Sequence, residues 1–265
     1  MLTSLSPARR RFAVGATATV VVAVLAVVGT VLLRRDPAVR PVAQDRPGPV
    51  LLVPGFGGST SALEVLADAL QGAGREVRIV GAGGSGTGDL HEQAVDLGRA
   101  VDAALEESGA SSVDVVGYSA GGVVLRIYVA DLGGGSTVRR AVTLASPHHG
   151  TDLAALASSL GTRACPMACQ QLDPDSDLLR ALNAGTEAPS GPAWVALWTD
   201  DDATVVPPDS GDLEGALGFS VQSICPDLTV AHADVPRTPA VIAMVRSVLG
   251  TGPVVEPDDS ACVSR

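Results

Sequence analysis

Lysine is missing from this sequence, because all 18 of its basic residues are arginines. This absence excludes catalysis through a lysine Schiff base, a Ser-Lys dyad and the phosphate-binding lysine of a P-loop. Basic residues are also few beside 29 acidic ones, which gives a formal net charge of −11 at pH 7. An acidic surface repels phosphate backbones, so we expect no nucleic-acid partner and a neutral substrate, although acidity also serves solubility alone.

Charge is absent from residues 12–33, a run of 22 residues flanked by arginines at 9–11 and at 34–35. The run is long enough to cross a bilayer as a transmembrane helix. Because no small-x-small cleavage site closes it, the sequence favours an uncleaved N-terminal anchor over a removed signal, although residues 9–12 also loosely fit a twin-arginine signal. In either case we expect an exported protein, either membrane-anchored and extracellular or secreted.

Composition divides the chain into three parts. Residues 1–35 form the predicted signal or anchor segment, and residues 36–49, rich in proline, alanine and charge, form a short linker. Residues 50–265 form the predicted catalytic domain, since a sequence that is 46% hydrophobic supplies enough apolar side chains for one sizeable core. We expect this domain to be a monomer.

Four cysteines lie beyond the N-terminal segment: Cys165, Cys169, Cys225 and Cys262. An even number in an exported protein predicts two disulfides. Three pairings are possible; the close spacing favours Cys165 with Cys169, which leaves the other two to hold the C-terminal tail. A zinc site needs more nearby ligands than the few histidines provide, so no metal is expected. The histidines are His91, His148, His149 and His232.

Apolar runs alternate with helix-compatible stretches after residue 49, which predicts a minimal doubly wound, mostly parallel sheet with helices on both faces. The predicted strands are residues 50–53, 76–80, 113–118, 138–144, 193–199 and 221–224. The predicted helices are residues 61–71, 90–107, 120–132, 152–160, 177–182 and 238–249, and Asp89 is the expected N-cap of the second. Residues 81–86 match a dinucleotide-binding pattern, but residues 87–89 separate them from the helix, so no cofactor is expected.

A GYSAG motif at residues 117–121 joins the third predicted strand to the third predicted helix. In this context it predicts a nucleophile elbow, a tight turn that pushes the Ser119 hydroxyl out of the backbone. Small flanking residues let the strand and the helix pack closely, which accounts for Gly117, Ala120 and Gly121. The five-residue motif alone also fits a glycine-rich helix start, so its partners must decide between the two interpretations.

A nucleophilic serine needs a base, most often a histidine that a carboxylate orients. In proteins with a nucleophile elbow the chain order is serine, acid, histidine, and His232 is the one histidine far downstream of Ser119. The acid is expected after the fifth strand, where Asp200, Asp201 and Asp202 follow one another. We prefer Asp202, with Asp201 as the alternative acid, because the proline-restricted stretch after Asp202 would hold it in place.

An oxyanion hole needs two backbone N–H groups aimed at the developing negative charge. The PGFGG segment at residues 54–58 ends the first predicted strand, where one of these donors is expected. The predicted donors are the N–H groups of Phe56 and of Ala120, the residue after the nucleophile. A glycine-rich strand end is also common as a plain turn, but a neighbouring elbow favours the oxyanion interpretation.

At this point the chain resembles the small bacterial lipases and esterases of the α/β-hydrolase superfamily, especially secreted actinobacterial ones. The motifs that carry the resemblance are PGFG at 54–57, TGDL at 87–90, GYSAGG at 117–122 and ASPHHGT at 145–151. The resemblance implies the α/β-hydrolase fold and a Ser119-His232-Asp202 triad. The N-terminal anchor is a departure, since many relatives are released.

Residues 202–205 and 221–232 resemble, more distantly, the pattern of fungal lipase B around its acid and histidine. This likeness supports Asp202 and His232, and also a bridge between the last two cysteines. Residues 145–151 match a structural segment of the family, so the two histidines within it are interpreted as scaffold.

The activity implied by the resemblance is hydrolysis of carboxylic esters through an acyl-enzyme, by a lipase or esterase. The substrate would be a small-molecule or lipid ester. Because residues 152–183 form only a short cap, we expect an accessible cleft for short to medium acyl chains, with triacylglycerols also considered. Two alternatives stay open: another serine acyl enzyme, such as a thioesterase, acyltransferase or peptidase, and a membrane-anchored binding module without catalysis.

Overall fold

A computed structural model describes residues 39–81, 84–161 and 163–263, and a parallel sheet organises this part of the chain. Its strands are β1 (Val50–Val53), β2 (Val77–Ile79), β3 (Val113–Tyr118), β4 (Val138–Leu144), β5 (Ala193–Trp198) and β6 (Leu217–Ser220). They pair in the order β2-β1-β3-β4-β5-β6, and each neighbouring pair is parallel. The prediction of a doubly wound parallel sheet is confirmed.

Helices cover both faces of this sheet. They are α1 (Ser61–Gly72), α2 (Leu90–Ser108), α3 (Ala120–Asp131), α4 (Asp152–Ser159), α5 (Met167–Gln171), α6 (Asp177–Leu182), α7 (Val221–Ile224) and α8 (Pro239–Val248). Helices α1 and α8 share a core with Val50 and Leu52, whereas α2 and α3 share another with Leu51 and Val53. Successive side chains of a strand point to opposite faces, so strands covered on both sides are largely apolar.

The prediction of a strand at residues 221–224 is wrong, because these residues form α7 and the last strand ends at Ser220. Ser220 caps the helix: its hydroxyl oxygen accepts a hydrogen bond from the Ser223 N–H at 3.0 Å. Val221 and Ile224 are buried three positions apart, the spacing of one helix face. The short α5 was not predicted. The other predicted elements agree with the structure to within one residue at each end.

The predicted membrane segment at residues 12–33 lies outside the described residues, as does the rest of residues 1–38. Within the described ranges, no helix is both long and apolar enough to cross a bilayer. The predicted linker is described from residue 39, and its last part contacts the domain. The carbonyl oxygens of Gln44 and Gly48 accept hydrogen bonds from Arg139 and Arg75, at 2.8 and 2.9 Å.

Asp114 is a charged residue of β3 that lies fully buried near the amino end of the sheet. Its two carboxylate oxygens accept hydrogen bonds from Arg139 at 2.9 and 2.6 Å, and Arg75 adds a third at 2.6 Å. Arg139 is also fully buried, and it donates to the carbonyl oxygens of Leu249 and Gly250 after α8. This bidentate pair therefore ties the starts of two strands to the end of the last helix.

We expect Asp114→Asn to lower the free energy of unfolding by about 3–5 kcal/mol, because Arg139 would stay buried without its counter-charge. Urea unfolding measures this change. Asp177→Asn is the matched control: it removes the same charge from an exposed pair with Arg180, where a much smaller change is expected. Equal losses in the two variants would show that the buried pair does not stabilise the fold.

Both predicted disulfides are formed, Cys165 with Cys169 and Cys225 with Cys262. No cysteine is free in the part of the chain that the structure describes. The first bridge joins α5 to the loop before it. The second spans 37 residues and ties the residue after α7 to the C-terminal segment. A bridge across a longer loop removes more freedom from the unfolded chain, so the second is expected to stabilise the fold more.

Candidate active site

Ser119 occupies the tight turn between β3 and α3, at the carboxyl edge of the sheet. Its backbone has φ 53° and ψ −126°, a conformation that residues with a Cβ rarely adopt and that costs about 1–3 kcal/mol. Its N–H donates to the Leu144 carbonyl oxygen at 2.8 Å, which holds the turn against the end of β4. The neighbouring strand therefore helps to maintain the strained conformation.

Glycines on each side of this turn are required by close packing. A Cβ at Gly117 would lie 2.5 Å from the carbonyl oxygen of Gly121, and a Cβ at Gly121 would lie 2.6 Å from that of Pro54. Real side chains do not approach backbone atoms so closely. The steric reason for small residues around the serine, expected from the sequence, therefore agrees with the observed packing.

His232 begins a short 3-10 helix, His232–Arg237, that precedes α8. Its Nε2 lies 3.0 Å from Ser119 Oγ, and its Nδ1 lies 2.7 Å from Asp202 Oδ2. The side chains of His232 and Asp202 are 11% and 1% exposed, so the hydrogen-bonded chain is largely shielded from water. When Nδ1–H donates to the carboxylate, Nε2 is left unprotonated and able to accept the serine proton.

Asp202 is the member of the three consecutive aspartates that contacts His232. Its Oδ2 faces the imidazole, while its Oδ1 accepts hydrogen bonds from the N–H groups of Thr204 and Val205, both at 2.8 Å. Both carboxylate oxygens are therefore in use. Asp201, the alternative acid, is exposed, and in the described structure it makes no hydrogen bond to His232.

Tyr118 precedes the serine and was not singled out from the sequence. Its ring lies beside the imidazole of His232, with ring centres 5.3 Å apart, and its hydroxyl donates to the His232 carbonyl oxygen at 3.1 Å. Burial, with a smaller contribution from the Asp202 carboxylate, raises the pKa of Tyr118 to about 12. The phenol therefore stays protonated and keeps donating. Its position next to the elbow serine was the only available sequence signal.

The two predicted oxyanion donors belong to segments that lie next to Ser119. Ala120 is the first residue of α3, so its N–H has no acceptor within the helix. Phe56 follows Gly55, and a Cβ at Gly55 would lie 2.9 Å from the Ser119 Cβ. The loop around Phe56 is held in place by a 3.1 Å hydrogen bond from the Gly57 N–H to the loop before α2. The backbone at Gly55 and the start of α3 therefore both lie beside the serine.

We expect Gly55→Ala to lower kcat/KM for esters by about tenfold or more, because the added methyl group must displace the serine or the donor loop. The new Cβ would lie 2.9 Å from the Ser119 Cβ and 3.5 Å from its Oγ. Steady-state kinetics measures the effect. Gly72→Ala at the end of α1 is the control, since a Cβ there meets no atom within 4 Å. Equal kcat/KM in the two variants would contradict the close approach at Gly55.

His148 and His149 follow β4 and make other contacts. His148 is fully buried, with Nε2 3.0 Å from Thr143 Oγ1. Burial, with a smaller effect of the positive charge on Arg126, lowers the pKa of His148 well below its usual range, so its imidazole stays neutral. His149 Nε2 lies 2.9 Å from a carboxylate oxygen of Glu187. These contacts agree with a scaffold interpretation of the two histidines.

Arg126 is a fully buried arginine of α3 that was not predicted from the sequence as part of the site. Its guanidinium donates to the carbonyl oxygens of Glu187, Leu182 and His148 at 3.1, 3.2 and 3.3 Å. Burial lowers the pKa of Arg126 to about 10, which still leaves it charged at neutral pH. It joins the helix behind the serine to the loops that follow β4 and α6. An arginine within a helical stretch is usually a surface residue, so the sequence carried no signal for this role.

The predicted short cap at residues 152–183 consists of α4, α5 and α6. Helix α4 begins beside the loop of the acid, since the Asp152 N–H donates to the Val206 carbonyl oxygen at 2.8 Å. Four large apolar side chains of this segment are exposed: Leu153, Leu156, Leu160 and Met167 are 48%, 62%, 72% and 49% exposed. Exposed apolar side chains that lie close together often mark contact with an apolar ligand or partner.

Within the described ranges, no group of three or more His, Cys, Asp or Glu side chains is placed to hold a metal ion. The cysteines there are bonded in disulfides, and a cysteine binds a metal only as a thiolate.

Comparison with known families agrees with this architecture. Residues 48–161 match a family model described as the alpha/beta hydrolase fold, and the matched range includes the turn at Ser119. The match and the parallel sheet confirm the predicted α/β-hydrolase fold and the resemblance to that superfamily. No curated protein matches the chain at a significant level.

Solved structures of lipases share the fold. Aspergillus fumigatus lipase B is 19% identical, with a TM-score of 0.67 over 81% of this chain and 54% of that one, so this chain spans about half of its length. The mature form of Bacillus licheniformis lipase BlEst2 is 18% identical, with a TM-score of 0.64 over 81% of this chain and 96% of that one. The product of gene lin2722 from Listeria innocua is 17% identical, with a TM-score of 0.56 and coverages of 79% and 96%. At such identities the likeness concerns the fold.

Proposed function

We propose that this protein, which has the α/β-hydrolase fold, is a serine hydrolase that cleaves carboxylic esters as a lipase or esterase. The observation that carries the proposal is the hydrogen-bonded chain from Ser119 Oγ through His232 to Asp202, with distances of 3.0 and 2.7 Å. This is the arrangement of a nucleophile, a general base and an orienting acid. The lipase folds among the solved structures support an ester as the substrate class.

In the proposed first half-reaction, Ser119 Oγ attacks the ester carbonyl carbon while its proton passes to His232 Nε2. The carbonyl oxygen becomes an oxyanion, which the N–H groups of Phe56 and Ala120 stabilise. The imidazolium keeps its Nδ1–H on the carboxylate of Asp202. It then returns the proton from Nε2 to the leaving alcohol, which departs and leaves an ester of Ser119.

In the proposed second half-reaction, a water molecule attacks the acyl-enzyme. His232 Nε2 takes one of its protons, and the same two backbone donors stabilise the second oxyanion. Collapse of the intermediate breaks the bond to Ser119 Oγ, which recovers its proton from the imidazolium. The carboxylic acid leaves, and the enzyme returns to its starting state.

We infer that the substrates are esters with short to medium acyl chains, and triacylglycerols are a further candidate substrate. The short cap and its exposed leucines offer an apolar surface near the loop of the acid. The net charge of −11 favours a neutral substrate over a phosphorylated one. Rates on esters of increasing chain length measure this preference. A strong preference for long-chain emulsions over soluble esters would contradict an accessible cleft.

Both disulfides are consistent with an exported protein, secreted or anchored outside the cell by residues 12–33. A membrane anchor at these residues remains part of the proposal. Fractionation of cells that express the full chain distinguishes the two locations, since an anchored protein sediments with membranes and a released one stays in the medium.

Fluorophosphonate labelling of purified protein tests the proposed chemistry, and mass spectrometry locates the adduct. We expect a single adduct on Ser119, because a phosphonate traps only a serine that a neighbouring base activates. Parallel assays with ester, thioester and amide substrates then separate an esterase from a thioesterase or peptidase. A folded sample that is not labelled would indicate a binding module without catalysis.

A further inference from the structure

The loop that carries Asp202 and the loop that carries His232 come from different elements, and a polar cluster joins them. We define the acid loop as residues 199–202 and the histidine loop as residues 225–232. Between them lies the half-buried side chain of Gln222 on α7. Because the acid and the imidazole must stay within hydrogen-bond distance, the relative position of the two loops matters for the proposed reaction.

Gln222 contacts both loops at once. Its Nε2 donates to Asp201 Oδ2 in the acid loop at 2.8 Å and to the Leu228 carbonyl oxygen in the histidine loop at 3.0 Å. Its Oε1 accepts from the Asp200 N–H at 2.9 Å. Both ends of the amide therefore have partners of the correct kind. A flipped amide would place oxygen against oxygen and N–H against N–H.

Asp201 extends this bridge to the backbone near the histidine. Its Oδ2 accepts from the Val230 N–H at 3.0 Å. The Val230 carbonyl oxygen in turn accepts from the Thr199 hydroxyl at 2.8 Å. Both backbone polar groups of Val230 are thus held by the acid loop. A single residue, Ala231, separates this anchor from His232.

Helix α7 provides a rigid base for the Gln222 side chain. Val221 and Ile224 on the same helix are buried, and their packing fixes the orientation of the helix. Cys225 follows directly and is bonded to Cys262. A side chain mounted on a packed element, with its own hydrogen bonds satisfied, holds a geometry better than one on a free loop.

We propose that Gln222 and Asp201 are positioning residues that keep Asp202 and His232 within hydrogen-bond distance of each other, an inference that rests on the proposed function. They act through the two loops and do not contact the reacting atoms. Asp201 thus has a role different from that of a triad acid. Without the bridge the imidazole moves relative to the nucleophile, and a displacement of about 1 Å costs up to about 100-fold in rate.

The test compares two variants that break the bridge. Gln222→Met keeps the side-chain length but removes its hydrogen bonds, and Asp201→Ala removes the carboxylate. Both are expected to lower kcat for a soluble ester by about 10- to 100-fold with KM nearly unchanged, since neither residue binds the substrate. Asp201→Asn keeps an oxygen for the Val230 N–H and is expected to restore most of the loss.

Two matched controls separate this effect from loss of a similar side chain elsewhere. Gln93→Met removes an amide on α2 that donates to the Gly88 carbonyl oxygen at 3.1 Å. Asp96→Asn removes a carboxylate on the same helix that pairs with Arg99. Both controls are expected to keep the kcat of the wild type. Circular dichroism checks that each variant folds; should Gln222→Met not fold, the exposed Asp201 position carries the test.

Proton NMR of the His232 Nδ1–H, which bridges to Asp202, gives a readout that needs no turnover. We expect this downfield resonance in the wild type and the controls, and a shifted or broadened one in Gln222→Met and Asp201→Ala. If the wild type hydrolyses no ester, the proposed function fails, but this comparison still tests the bridge. An unchanged resonance and an unchanged kcat in both variants would overturn the inference.

Discussion

Ser119→Ala is expected to lower kcat for ester hydrolysis by roughly 10⁴- to 10⁶-fold. The variant lacks the oxygen that attacks the carbonyl, so only the oxyanion donors and substrate binding remain to accelerate a direct attack by water. It also cannot form the acyl-enzyme, and the fluorophosphonate has no activated serine to label. Steady-state hydrolysis of a soluble chromogenic ester measures the loss, and mass spectrometry the missing adduct.

The fold should survive this change, because alanine keeps the Cβ and the same strained backbone at position 119. Urea unfolding of the variant checks that point. Ser61→Ala is the matched control: this serine is exposed at the start of α1, and its replacement is expected to leave kcat unchanged. If the kcat of Ser119→Ala were within about tenfold of the wild-type value, Ser119 would be excluded as the nucleophile.

Asp202→Asn is expected to lower kcat by about 10⁴-fold with little change in the fold. The carboxylate has two oxygens and three N–H partners: Oδ1 accepts from Thr204 and Val205, and Oδ2 accepts from His232 Nδ1. An asparagine has one oxygen, which the two backbone N–H groups will take. Its NH₂ group then faces the imidazole and favours the tautomer with the proton on Nε2, which cannot accept the serine proton.

The same substitution one residue earlier is the decisive comparison. Asp201→Asn removes an identical charge, but its side chain lies on the bridge between the loops and not on the imidazole. We expect it to retain most of the wild-type kcat, measured under the same conditions. If Asp201→Asn were the more damaging of the two, the acid would be Asp201 and the proposed triad would be wrong.

The tight turn at Ser119 could be predicted because its requirements are local. A strand and a helix that meet within a few residues exclude side chains at specific positions, and the packing around Gly117 and Gly121 shows the same exclusion. The parallel sheet was equally readable, since β1, β3 and β4 are buried on both faces and must be largely apolar. Three charged residues of these strands are exceptions: Asp114 and Arg139 pair with each other, and Arg140 donates to the Gly252 carbonyl oxygen.

The error at residues 221–224 arose where local pattern is ambiguous. Val221 and Ile224 lie one on each side of Gln222 and Ser223. This pattern fits the end of a strand or one turn of a helix. The cap from Ser220 and the burial of Val221 and Ile224 on one face decided in favour of the helix. Burial depends on how α7 packs against the rest of the domain. A short stretch of sequence carries no information about that packing.

The sequence by itself determined the fold class and predicted the tight turn at Ser119 and its candidate partners, because these follow from steric limits and chain order within single strand-turn-helix units. Only the tertiary structure decided which of three adjacent aspartates meets His232, and that Tyr118 and Gln222 lie beside this pair. Those contacts join residues 21 or more positions apart. They depend on how the loops after β5 and α7 pack against each other, which local residue preferences do not specify.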